Sequence, residues 1–232
     1  MAIAEKFENY GIVPRSVKAP ARSAAFTRRV DGALVALESA RAALSGFDRG
    51  KHIFGLTKGQ FSMIDIAAAA LEKTGPATVS VWTWCIAEYE VEAFSAFFND
   101  RRVEKLRVIM DWAGAQRDMP LTAELQEIFG LDCLRVTKTH AKIVTIQNDS
   151  GWRVVIRGSM NLNANPRFEQ FDISDDASIF DTVAGVEAEL WARGKALPVK
   201  KMRHSEKDAL FEDAGGKAMK VLWGPKNESS WF

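Results

Sequence analysis

The chain has 232 residues, 47% hydrophobic and 26% charged, with a formal net charge of +1, the make-up of a folded globular protein with room for one substantial core rather than of a disordered or fibrous chain. Its apolar runs are short and interrupted, and Glu5 and Glu8 stand where a secretory signal needs apolar residues, so a cytoplasmic protein without a membrane span is expected. The near-neutral total hides two basic ends: residues 1–30 carry six Lys or Arg against two Glu, and residues 192–207 carry six against one. Such ends suit a polyanionic partner, or simply a solvated surface.

In chain order, residues 1–21, with Pro14 and Pro20, read as an irregular arm. Phe26, Val30, Ala33, Leu37, Ala40 and Leu44 recur at the spacing of one helical face and predict a helix over 24–44. Residues 46–59 carry turn chemistry and several charges and read as a loop. Phe61, Ile64, Ala68 and Leu71 then mark a helix that Gly75-Pro76 ends. Residues 79–86 form a β-rich run of the kind buried in a parallel sheet. Ala87, Val91, Phe94 and Phe98 line a further helix, and residues 106–110 read as the next strand. Thr122 and Gly130 suit the two ends of another helix. Strand and helix therefore alternate, which predicts an α/β sheet flanked by helices.

After Cys133 the pattern changes to consecutive strands, residues 139–147 and 152–158, joined by Asn148-Asp149-Ser150-Gly151 as a four-residue hairpin turn. Ile179, Val183, Val186 and Leu190 give a closing amphipathic helix, and the chain beyond Leu197 turns basic and irregular. The organisation expected is an N-terminal arm and helix over 1–59, a domain over 60–193 and a basic extension over 194–232. No internal repeat is visible, so any motif here occurs in a single copy. Cys85 and Cys133 lie in apolar, strand-like runs without the clustering of a zinc site or a disulfide framework, and are expected to be buried free thiols. No metal and no cofactor is expected.

The hairpin gathers the residues with chemistry. If Gln147 faces Trp152 across the turn, His140 lies opposite Ser159, and Lys142, two residues on, shares the face of His140. Asn161 follows closely, and Glu169 stands just before the apolar step at Phe171 and Ile173, able to orient an imidazole. An imidazole, a fixed cation and neutral hydrogen-bonding groups are what phosphodiester cleavage needs, apart from an acid for the leaving oxygen. That acid would be a second histidine. Neither His52 nor His204 stands in a comparable motif, so a second chain would have to supply it.

The run His140-Ala141-Lys142, then Gly158-Ser159-Met160-Asn161, then Glu169 resembles the HxK…GSxN…E signature of the phospholipase D superfamily, and the resemblance covers roughly residues 60–193. It implies a metal-independent reaction through a phosphohistidine, with His140 as nucleophile and a second His140 as acid. It further implies that Lys142 and Asn161 hold phosphoryl oxygens, that Ser159 supports the loop or bonds one, and that Glu169 orients a histidine. Single-motif members of that family are typically homodimers joined at the active-site face, and many are nucleases. Two departures stand out: Gln147 occupies the place where the family usually has Asp, with Asp149 two residues later, and the gap from Lys142 to Gly158 is longer than in compact members.

The function expected is therefore a homodimeric phosphodiesterase, an endonuclease with nucleic acid as substrate. The alternatives are a nucleic-acid-binding or assembly protein that keeps the fold without the chemistry, and a phospholipid hydrolase. Trp82, Trp84 and Trp112 could stack on bases, although packing is the commoner use of such residues. Asp111 could serve a site or cap a loop. Asp172, Asp175 and Asp176 lack a metal-binding pattern and suit the start of the last helix.

Overall fold

The computed structural model describes residues 21–26, 34–37, 39–162 and 167–193. The irregular arm expected over residues 1–21 lies outside them except for Ala21, which opens a strand, and the basic extension expected over 194–232 lies outside them entirely. The described strands are β1 (Ala21–Phe26), β2 (Leu34–Leu37), β3 (His52–Thr57), β4 (Ala77–Thr83), β5 (Val103–Asp111), β6 (Leu134–Thr137), β7 (Ile143–Gln147), β8 (Arg153–Gly158) and β9 (Glu169–Asp175). The helices are α1 (Ala40–Ala43), α2 (Met63–Thr74), α3 (Glu88–Asn99), α4 (Trp112–Arg117), α5 (Met119–Phe129) and α6 (Ala177–Arg193). All nine strands form one mixed sheet in the order β2-β1-β3-β9-β8-β7-β4-β5-β6. Its β4, β5 and β6 run parallel, and every other pairing is antiparallel.

Alternation along the strands divides the sheet into two faces. On one, Val79, Val81, Val144, Ile146, Val154, Ile156, Phe171 and Ile173 are buried in a common core with residues of α2, α3, α4 and α5. Two local devices hold α2 in place: the Ser62 hydroxyl accepts from Asp65 N while Asp65 accepts from Ser62 N at 2.8 Å, a reciprocal cap. Phe61 meets Phe171 edge to face at 5.5 Å. The other face carries Trp82, Arg107 and Arg135, over which α6 lies. There the Trp82 indole donates to Glu187 Oε1 at 2.8 Å, and the guanidinium groups of Arg107 and Arg135 sit 5.2 and 4.8 Å from the Trp191 ring. Burial pushes the Glu187 carboxyl upward, and the Trp82 hydrogen bond only partly opposes it. Asp176 accepts from Ser178 N and Ile179 N at the start of α6, the capping role expected of the acidic cluster.

The helix expected over 24–44 is replaced by strands at 21–26 and 34–37, with only one helical turn at α1. Pairing of β1 with β3 satisfies a row of backbone groups that an isolated amphipathic helix would leave to β3 as an open edge. The loop expected over 46–59 contains β3, whose residues alternate between half-buried or exposed and buried, from His52 to Thr57. Charged turn residues around it masked that alternation. Thr122 does not start a helix. Pro120 fits the first turn, so α5 begins at Met119, and Thr122 is buried inside it with its hydroxyl donating to Asp118 O at 2.9 Å.

The hairpin register is also shifted by one residue, for Gln147 pairs with Arg153 rather than with Trp152. Trp152 is drawn out of the ladder because its ring is buried against Phe47 at 6.0 Å, under the Arg49 guanidinium at 4.1 Å. Gly151, with φ of +86°, makes the turn that this needs. Cys133 is buried, and burial drives its thiol up to about 12, whereas Cys85 lies beyond the end of β4 and is only half-buried. Trp82 and Trp112 pack, as expected of most core aromatics. No helix among the described residues is long and apolar enough to cross a membrane.

Phe171 sits at the centre of this packing, 1% exposed. Truncation in Phe171→Ala is expected to cost about 3–5 kcal/mol, measurable as a lower midpoint in urea unfolding with an unchanged slope.

Candidate active site

The carboxyl ends of β4, β5 and β6, the start of β7, the end of β8 and the start of β9 all meet at one edge of the sheet. His140 and Lys142 lie in the extended segment that leads into β7, not within the strand. The shifted register leaves Lys142 opposite Gly158, whose N–H donates to Lys142 O at 3.2 Å, so His140 is not cross-strand from Ser159. The two side chains still meet: Lys142 Nζ is 3.2 Å from His140 Nδ1 and 3.0 Å from His140 O. An ammonium can only donate, so the ring nitrogen that it faces accepts.

The segment is held by Asp111. Its carboxylate accepts from Ala113 N at 2.8 Å, capping α4, and from Thr139 N at 3.0 Å, while Thr139 Oγ1 accepts from Ala141 N at 3.1 Å. The carboxylate thus ties Thr139 to the end of β5, and the Thr139 hydroxyl in turn holds Ala141 on the other side of His140, so Asp111 both caps a helix and holds this segment. Gly114 lets α4 approach the residues after β4, since a Cβ there would lie 1.7 Å from Trp84 O.

On the other side, Gly158 permits the crossing of β8 and β9: a Cβ would lie 2.7 Å from Gln170 O and 3.1 Å from Met63 Cε. Ser159 follows directly, its N–H donating to Gln170 O at 3.1 Å and its hydroxyl donating to Glu169 Oε2 while accepting from Gln170 N at 3.0 Å. Ser159 therefore fixes Glu169 through a closed set of short contacts. Asn161, half-buried, has its side-chain oxygen buried with no hydrogen-bond partner among the described residues. A polar atom so placed retains bonding capacity that desolvation makes costly to leave idle.

Lys142 is the electrostatic centre of this edge. Burial lowers its ammonium below the usual lysine range, and the nearby Cys85 and Glu169 pull it back only in part. His140 and Ser159 are exposed, Lys142 and Glu169 half-buried. Four of the five expected residues thus converge through contacts or charge, and Asn161 is placed beside them by the chain. His52 does not join them: it pairs with Ser174 toward the far end of β3, with Nε2 3.5 Å from Asp172 Oδ1. Gln147 is exposed at the far end of β7, away from His140. The neighbours that sequence reasoning missed are Cys85, which acts on Lys142 through space, and Arg117, whose guanidinium lies 4.7 Å from the Trp84 ring. Their one sequence signal was position after a parallel strand. Among the described residues, no group of three or more His, Cys, Asp or Glu could hold a metal ion.

The sequence matches no protein-family model and no curated protein. Among solved structures the chain is similar to NucT from Helicobacter pylori, at 13% identity over 61% of this chain and 96% of that one, with a TM-score of 0.44. It is similar also to Nuc from Salmonella typhimurium, a phospholipase D family member, at 14% identity over 56% and 90%, with a TM-score of 0.40. A third is polyphosphate kinase from Porphyromonas gingivalis, at 13% identity and a TM-score of 0.42; the match takes in 56% of this chain but spans only about a quarter, 24%, of the kinase. Likenesses this faint carry no functional argument.

Replacing Asp111 removes both a helix cap and the anchor of the His140 segment. Asp111→Ala is expected to lose about 1–2 kcal/mol of stability, with amide hydrogen exchange accelerated at Thr139 and Ala141 more than in β7.

Proposed function

We propose that the protein is a metal-independent phosphodiesterase of the phospholipase D type, a nuclease that works as a homodimer. The observation that carries this reading is the convergence, at one edge of the sheet, of the His140–Lys142 pair with the Ser159–Glu169 pair. An imidazole alone is common. An imidazole beside a half-buried ammonium, with a hydroxyl and an amide from the chain after β8 and a carboxylate from the start of β9, supplies the groups that phosphoryl transfer needs.

In the reaction proposed, a ring nitrogen of His140 gives its electron pair to phosphorus as the bond to the leaving oxygen breaks. His140 of the partner subunit delivers a proton to that oxygen. Water then attacks the phosphohistidine, the phosphorus–nitrogen bond breaks, and the proton from water passes to His140 of the partner subunit. Lys142 leaves its contact with His140 to meet the non-bridging oxygens, where its charge is worth more because the group is partly desolvated. Asn161 contributes its amide to the same oxygens. Glu169, steadied by Ser159, is placed to orient an imidazole. The single copy of the motif, with His52 lying elsewhere, favours a dimer, in which a twofold axis would bring two such edges together. Basic residues at both ends of the chain favour nucleic acid over a small phosphodiester.

Cleavage of single- and double-stranded DNA and RNA in EDTA tests this directly. The wild-type protein is expected to cut at least one of them, and His140→Ala to lose about a thousandfold or more in rate. Equal cutting by both proteins, or none by either at matched dimer content, would overturn the reading in favour of a binding protein. Since burial lowers the Lys142 ammonium, activity is expected to fall on the alkaline side at a pH below the ordinary lysine range. Lys142→Arg, which holds its charge to much higher pH, should move that limb upward even where it lowers the maximum rate.

A further inference from the structure

Beside the proposed site stands an aromatic ring that is more than half exposed. Phe168 is 55% exposed, although burying such a ring is ordinarily worth a good deal to a fold. It immediately precedes Glu169. The pairing of β3 with β9 ends at Thr57 and Glu169, so Lys58 and Phe168 come next on the two strands. Their side chains meet there, with the Lys58 ammonium 5.2 Å from the centre of the ring. Arg167, also exposed, precedes the ring in the chain and adds a second cation.

We infer that Phe168 is a stacking platform for an unpaired base of a nucleic-acid strand, with Lys58 and Arg167 meeting the adjoining phosphates. This rests on the nuclease reading and deepens it by naming the substrate class. One face of the ring is turned to a cation and the ring as a whole remains open, the arrangement in which a base can stack while the backbone finds positive charge. In a duplex the faces of the bases are already covered by their neighbours, so a ring at this place discriminates for single strands. An apolar contact to a protein would not require the Lys58 cation over the ring, and a phosphate contact alone would not require the ring.

The test uses the full chain carrying His140→Ala, so that a strand binds without being cut, and compares a fluorescent oligothymidylate with a duplex of equal length at one salt concentration. Adding Phe168→Ala is expected to lower affinity for the single strand by about tenfold and to reduce its preference over duplex. Phe168→Trp should restore that preference, with quenching of its added fluorescence as the strand binds. An alanine variant that binds the oligothymidylate as tightly as its parent, or that loses single strand and duplex equally, overturns the inference while leaving the nuclease reading in place. Altered sedimentation of Phe168→Ala with unchanged strand affinity would likewise overturn it, marking the ring as a subunit contact. A parent that binds neither oligothymidylate nor duplex, with a wild type that cuts no nucleic acid, would remove both together.

Discussion

The crossing of β8 and β9 at Gly158 is the constraint on which the site depends. Two strands can come this close only where one of them lacks a side chain, because a Cβ would be driven into the Gln170 carbonyl and the Met63 side chain. The close approach turns the end of β8 toward the start of β9, and the Ser159 hydroxyl and Glu169 carboxylate then fall within bonding reach. The same crossing places Phe171, two residues along β9, under Phe61 at the head of α2. A single backbone requirement therefore couples the site to the core, and the site inherits the rigidity of buried strands rather than the mobility of a loop.

The opposite half of the site is held in another way. His140 lies outside any strand, so no ladder fixes it, and its position is set by side-chain to backbone hydrogen bonds from Asp111 and Thr139. Such contacts are individually modest but directional, and they hold the imidazole segment while leaving the ring exposed. Half of the site is thus strand-fixed and half tethered. That division suits a reaction in which the carboxylate must stay still and the imidazole must form and break a bond.

The charge economy of the molecule follows the same geography. Lys142 is half-buried between His140 and Glu169 and is pushed toward neutrality by burial, while the far face settles its charges by pairing, with Arg157 bonded to Asp172 and Arg107 and Arg135 stacked over Trp191. Arg107 and Arg135 thereby hold α6, while Arg157 ties β8 to β9. Near the site edge, Lys58 lies over the Phe168 ring and Lys142 against the His140 imidazole.

Much of this was legible in the residues themselves. The alternation from α2 to β5, the stop at Gly130, the closing helix and the convergence of His140, Lys142, Ser159 and Glu169 all follow from periodicity, turn chemistry and motif order, because those signals act over a few neighbouring residues. What only the tertiary structure decided was set by partners distant in sequence. Residues 24–44 carry a helical spacing, yet β1 pairs with the edge of β3 and β2 pairs with β1. The hairpin slipped one residue because Trp152 gained more by packing on Phe47 than by staying in the ladder. Asp111 became the anchor of His140 only when parallel pairing brought the end of β5 beside residue 139. The sequence by itself determined which chemical groups are present and the order in which strands and helices deliver them. The distances between those groups were decided by long-range burial and strand pairing, whose free energy outweighs the local preferences that a sequence displays.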